Sequence, residues 1–280
     1  MHLGEIEVCF LQAGNFWLDG GAMFGVVPKP LWEKRSPADE RNRIKLRANS
    51  LLVRAGGKNI LIETGNGTKW EAKLRGIYGI SDGDPLARAL SEAGVAADKI
   101  DLVINTHLHF DHAGGNTRPV DGRDVPVFGN AKYVLQRAEL QHALSPTERD
   151  RASYFSDRFV PITEAGQWQL VEGDVEIVPG VSVVRIPGHN ADIQAVKISG
   201  GGKSILCCAD MIPTRHHLPL AWVTGYDLYP LETLENKRKW IAEIVKNGWI
   251  VAFGHDPEFA AATLHESGGK VEFEPVDLNR

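Results

Sequence analysis

The chain has 280 residues, 43% of them hydrophobic and 24% charged; that is close to average soluble composition, enough for a sizeable core in one large domain or two small ones. Its formal net charge of −5 excludes the basic footprint of a nucleic-acid-binding surface, and no apolar run reaches the length of a membrane span. Cys9, Cys207 and Cys208 make no disulfide framework, and residues 1–7 lack the basic start and apolar core of an export signal, so a reduced, cytoplasmic chain is expected.

Strand-like runs come first, at 6–11, 44–54 and 59–63, and Gly56-Gly57 makes the last two a hairpin. A helix is expected from Lys69 into Gly76. A better one opens at Asp84-Pro85, with Asp as N-cap and Pro as first helical residue, ahead of Leu86, Ala87, Leu90 and Ala93 at helical spacing. A short apolar run at 99–105 has strand character. Beyond it, 125–128 and 133–135 read as strands, and 139–144 and 147–155 as helical. The second half repeats the alternation, with strands at 175–178, 181–186, 195–198 and 204–208. A long helix at 231–246, a strand at 249–253 and a short helix from Pro257 complete it. Two β-rich halves, each closing with helices, indicate an α/β chain with two sheets face to face and helices outside.

The chemistry concentrates in His107-Leu108-His109-Phe110-Asp111-His112, between the run at 99–105 and the flexible exit Ala113-Gly114-Gly115-Asn116. Imidazole nitrogen and carboxylate oxygen suit zinc and its first-row neighbours. The cluster therefore falls on a loop at the carboxyl end of a strand, where α/β folds build sites. A site for two metals needs more ligands than one loop supplies. His189 follows a strand ended by Pro187-Gly188, Asp210 follows the run 205–209, and His255 follows 250–254. Alone, each of these reads as a turn residue; beside the cluster, each reads as a ligand. Cys208 reads as a small buried hydrophobe, and His2, His142 and His265 as surface residues.

These segments resemble the metallo-β-lactamase superfamily. Thr106 to Gly115 matches its HxHxDH loop, and Pro187-Gly188-His189, Ala209-Asp210 and Gly254-His255 fall in the order of its remaining ligands. The resemblance spans nearly the whole chain and implies an αββα four-layer sandwich with the metals at one sheet edge, in one domain over 1–280. It implies two divalent ions, zinc by default with iron, manganese or cobalt as alternatives. His107, His109 and His189 would hold one ion, and Asp111, His112 and His255 the other. Asp210 would bridge them, with Asp111 and Asp210 counted as catalytic. Such a pair can share a hydroxide made acidic enough to attack at neutral pH, so the implied reaction is hydrolysis.

A narrower resemblance, to the lactonase-like branch that includes acyl-homoserine lactonases and methyl parathion hydrolases, rests on Asp19 to Pro28 with Leu31-Trp32, and on Ile62 to Gly67. It implies an amino-terminal hairpin at about 14–34 near the site. There Phe16, Trp17, Phe24 and Trp32, with Met23, would either wall in a hydrophobic substrate or pack the sandwich edge, and the resemblance favours the wall. His216 and His217, close after Asp210, would reach the substrate as proton donors or take ordinary loop roles. Two positions depart from the branch. Pro213 stands where many homoserine lactonases carry an oxyanion-assisting tyrosine, leaving that role to His216, His217, Tyr226 or Tyr229. Glu63 stands where the family usually has Asp. The expected substrate is a small lactone, ester or phosphotriester with hydrophobic groups. A glyoxalase II-like thioester hydrolase and a metal-stabilised binding protein without turnover are the alternatives. Neither nucleic acid nor membrane is an expected partner, and the aromatic segment leaves a homodimer open.

Overall fold

Gly56 and Gly57, at φ 56° and 73°, close the expected two-residue hairpin, because only glycine takes consecutive positive φ without cost. This turn comes from a computed structural model, which describes residues 1–81 and 83–280.

The first half carries β1 (His2–Leu3), β2 (Ile6–Asp19), the short helices α1 (Gly20–Phe24) and α2 (Lys29–Trp32), then β3 (Arg43–Ala55) and β4 (Lys58–Ile62). Helices α3 (Ala72–Tyr78) and α4 (Pro85–Glu92) follow, then β5 (Leu102–Ile104) and α5 (Phe110–Ala113). After them come β6 (Thr117–Val120), β7 (Arg123–Pro126), β8 (Lys132–Gln136), α6 (Arg137–Leu144), α7 (Val160–Glu164) and β9 (Trp168–Val171). The second half carries β10 (Val175–Val178), β11 (Val181–Arg185), β12 (Gln194–Gly200), β13 (Lys203–Cys207), α8 (Pro230–Asn247), β14 (Ile250–Ala252), β15 (Ala261–Ser267) and β16 (Lys270–Val276). Each half forms one seven-stranded sheet, ordered β1-β2-β3-β4-β5-β8-β9 and β10 to β16 in sequence, while β6 and β7 pair separately.

The layers follow from two-residue periodicity. On β3, Leu51, Val53 and Ala55 join the core shared with Val181, Val183, Ile198 and Ile205 of the second sheet. Ile44, Leu46, Ala48 and Leu52 point to the other face, against Leu86 and Leu90 of α4. On the far side, Trp240, Ile241 and Ile244 of α8 cover Val184, Leu206 and Val251. This is the αββα four-layer sandwich that the resemblance implies. Among the described residues no helix is long and apolar enough to cross a membrane.

Several local expectations change. The segment at 14–34 is no hairpin: β2 runs on to Asp19, whose carboxylate caps α1 by accepting from Ala22 N (2.8 Å), and α2 follows. The helix expected from Lys69 starts only at Ala72 and ends at Gly79. Residues 147–155 contain one 3-10 turn at Arg151–Ser153, because Thr147 donates to Asp150 (2.6 Å) and local side-chain bonding competes with helix. The strand at 125–128 lies at Arg123–Pro126 and pairs with β6, outside the main sheets. No helix starts at Pro257; the chain passes into β15 at Ala261, which pairs with β16 across Gly268-Gly269, the same glycine signal as in the first hairpin.

Candidate metal centre

Topology brings the ligand positions together before any side chain is considered. Strand β11 is antiparallel to β12, and β12 to β13, so β11 and β13 run the same way, and β14 is parallel to β13. Their carboxyl ends therefore share one edge, and His189, Asp210 and His255 follow those ends. Gln194 joins the opposite sheet to this edge: its backbone N–H donates to Thr106 O (3.1 Å) and its side chain to Asn105 O (2.8 Å). Asn105 and Thr106 lead from β5 into His107. Ala209, at φ 46°, occupies the left-handed region that disfavours a Cβ, and that bend carries Asp210 into the group.

All seven positions are buried. His107, His109, His189 and Asp210 each place one ligand atom within 4.8 Å of the others, and so do Asp111, His112 and His255. Asp210 serves both groups. Its Oδ2 lies 3.3 Å from His189 Nε2 and 4.0 Å from His107 Nε2. Its Oδ1 lies 3.0 Å from His255 Nε2 and 3.3 Å from His112 Nε2. His109 Nδ1 and His189 Nε2 are 3.1 Å apart. Two ligands held ~2.1 Å from a shared tetrahedral zinc-type ion would lie about 3.4 Å apart. Among the described residues, His107 Nε2 and Asp210 Oδ1, both of which face this group, are buried without a hydrogen-bond partner, which is costly for polar atoms. The His/carboxylate donor set and these orphaned atoms fit a divalent cation.

Four imidazoles have their remote nitrogen occupied, leaving Nε2 for the centre. His107 Nδ1 pairs with Thr106 Oγ1 (3.0 Å). His255 Nδ1–H donates to Arg47 O (3.1 Å). His112 Nδ1 faces Glu63 Oε1 at 3.2 Å, and His189 Nδ1–H donates to Asp227 Oδ1 at 2.9 Å. Glu63 therefore takes up a supporting role despite its longer side chain, with its backbone at φ 62°. Burial pulls the pKa values of His107 and His109 well down, with neighbouring histidines adding to it. Burial also pulls on His112, but Asp210, Glu63 and Asp111 outweigh it and hold that ring well above its usual value. Burial would raise Asp210, yet His255, His112 and His189 keep it well below the usual carboxylate range.

Beneath the cluster, Glu139 accepts from Leu108 N (2.9 Å), Tyr154 OH (3.2 Å) and Asn190 Nδ2 (2.8 Å), joining the loop of His107 to that of His189. Burial pushes its carboxyl up to about 8.

The expected substrate wall is not where the residues were assigned. Phe16, Phe24 and Trp32 are at most 1% exposed. Phe16 packs edge-on against His255 (5.2 Å), and Phe24 stacks between Trp32 and His217. These rings fill the interior because α1 and α2 fold back over the sheet instead of forming a hairpin. Half-buried Trp17 lies against Gly79 and beneath Arg43. His217 is also interior: it accepts from Thr214 Oγ1 (2.8 Å) and donates to Met23 O (2.9 Å). His216 lines a separate surface cavity with Arg35, Trp222 and Phe273, so neither histidine is a proton donor to the centre. His142 is no bare surface residue, since it pairs with Asp150 at 2.5 Å.

Sequence reasoning missed the half-buried aromatics beside the cluster. Trp70, Tyr78 and Phe155 pack on Phe110 at ring distances of 5.4, 4.7 and 5.8 Å. Burial, reinforced by the charge of nearby Asp111, raises the pKa of Tyr78; the same two effects, with Tyr78 and Asp19 adding, raise that of Tyr226. Phe110 lies inside the histidine motif and Tyr226 is already a candidate, but nothing in the spacing of Trp70, Tyr78 and Phe155 marks them.

Residues 43–255 match the family described as the metallo-beta-lactamase superfamily. An N-acyl homoserine lactonase of Bacillus thuringiensis is 30% identical over 198 residues, 69% of this chain and 70% of that protein. A probable metal-dependent hydrolase from Staphylococcus aureus has a similar structure, with TM-score 0.92 and 30% identity over 99% of both chains. The fold is shared with AidC, a dizinc quorum-quenching lactonase in complex with a product, at TM-score 0.81 and 19% identity over 99% of this chain and 96% of that one.

Proposed function

Because this chain belongs to the metallo-β-lactamase superfamily and is a lactonase-like, metal-dependent hydrolase, we propose that it holds two divalent ions, zinc by default, at the shared sheet edge. Its substrates are uncharged lactones, esters or phosphotriesters with hydrophobic groups. The observation that carries this reading is the pair of orphaned buried atoms, His107 Nε2 and Asp210 Oδ1, within the convergent cluster. His107, His109 and His189 hold one ion; Asp111, His112 and His255 hold the other. Asp210, close to both groups, would be their shared ligand. When bound, such ions supply Lewis acidity and a water acidified toward neutral pKa.

The chain's own residues orient the substrate and manage its charge. Trp70, Tyr78 and Phe155 offer an aromatic face to an acyl chain or leaving group. Pro213 has no hydroxyl; its carbonyl instead accepts from His255 N (2.8 Å) and fixes that loop. The phenol of Tyr226, near Asp111, takes over donation to the developing oxyanion. The free thiols Cys9, Cys207 and Cys208 support a reducing, cytoplasmic setting. N-acyl homoserine lactones, named for the Bacillus relative, head the substrate panel, followed by aryl esters, thioesters and a phosphotriester.

Metal analysis and kcat/KM on that panel test the reading. Wild type is expected to carry two ions and turn over at least one lactone or ester, and His107→Ala and Asp210→Ala to lose metal and at least 100-fold in rate. Full metal content and activity in both variants would sink the proposal.

A further inference from the structure

The two halves of the cluster are braced by different carboxylates. Glu63 faces His112, while Asp227 faces His189. Asp227 is fully buried. Its Oδ1 accepts from His189 Nδ1–H (2.9 Å) and from Thr224 Oγ1 (2.8 Å), and Oδ2 has no partner among the described residues. The loop around it grips the His189 turn by its backbone as well: Leu228 N donates to His189 O (3.0 Å) and Tyr229 N to Gly188 O (2.9 Å).

We propose that Asp227 is a positioning residue that sets the metal affinity of the His107/His109/His189 half alone, independently of the half braced by Glu63. This rests on the two-ion reading above. A carboxylate behind a ligating imidazole fixes its tautomer and orientation and strengthens it as a donor. His189 receives this from Asp227, and the neighbouring backbone clamp holds its loop in place. His112 and His255 receive their support from Glu63 and Arg47 O, on another part of the chain. A change at Asp227 therefore reaches one half directly and touches the other only through Asp210.

The bracing loop is itself tied from outside. The exposed Arg149 donates to Gly225 O (2.7 Å) and Asp227 O (3.4 Å), and Gly225 N donates to Ala22 O (2.7 Å) at α1. Arg149 thus gives access to the same brace from solvent, without opening the interior.

Graded chelation of the full-length holoenzyme, with released metal measured at each step, tests the assignment. Asp227→Asn keeps the shape and removes the charge. It is expected to weaken one of two equivalents by about 10–100-fold and leave the other at its wild-type value. In a His255→Ala background, which retains the Asp227-braced half, the weakening persists; in a His107→Ala background it vanishes. Arg149→Gln, a surface change that keeps the fold, moves the same equivalent by a smaller factor. Asp227→Asn that releases both equivalents together, or neither earlier than wild type, overturns the proposal. A wild type that binds fewer than two ions refutes the two-ion reading instead, which keeps the two failures apart.

Discussion

At the residue scale, His217 shows how a histidine seven residues past a candidate ligand, Asp210, can serve packing alone. Both ring nitrogens are satisfied and Phe24 stacks on it at 4.8 Å. Burial, chiefly, holds its pKa down at about 3, against ~6.5 in an unfolded chain. Between those values the unfolded chain binds a proton that the folded one does not. Stability from this group is therefore complete above pH ~6.5 and drains away as pH falls toward 3, by about 1.4 kcal/mol per unit at most. His217→Gln can keep both hydrogen bonds without titrating. Urea unfolding of the metal-free protein should show wild type losing about 1 kcal/mol more than the variant between about pH 7 and 5.5. Parallel losses would refute the assignment.

At the element scale, the connection after β4 is wedged under the ligand helix α5. Thr64 N donates to His112 O (2.8 Å), Gly65 bridges to Ala113, and a Cβ on Gly67 would meet Gly114 O at 2.0 Å. Gly67, at φ 63°, thus answers to sterics and conformation together; Gly57, at φ 73°, has nothing within 4 Å. Gly67→Ala is expected to cost at least about 2 kcal/mol and weaken metal binding, because the backbone carrying His112 must move. Gly57→Ala should cost only about 1 kcal/mol and leave metal content intact. Equal losses in urea unfolding would mean that the wedge does not matter.

At the scale of the whole molecule, the sheets do not depend on the centre. The core between them runs from Leu3 and Ile6 to Ala261 and Leu278, and the ligands occupy connections beyond strand ends. Chelation is therefore expected to lower Tm while leaving the far-UV circular dichroism near native. Each ion present at about 100 times its Kd adds about 2.7 kcal/mol. A Tm indifferent to chelator would contradict ligation by these residues, and collapse of the dichroism would contradict an autonomous sandwich.

Much of this was legible in the chain. Alternation along β3 and the apolar runs at β5, β13 and β14 mark strands, and Gly56-Gly57 marks a turn, because these signals are local. The run from His107 to His112 announces metal chemistry for the same reason: its ligands lie within one turn of each other. Strand β15 and the edge strand β16 are not anticipated, although Gly268-Gly269 and the alternation of Val271, Glu272, Phe273 and Glu274 signal them. What only the tertiary structure decided is which residues stand behind and beside the ligands. Asp227, 38 residues from His189, and Glu63, 49 before His112, brace their rings through chain segments whose approach no local pattern encodes. Phe16, Phe24 and Trp32 left the expected substrate wall for the interior because burial depends on where α1 and α2 fold, and hydrophobicity alone does not record that.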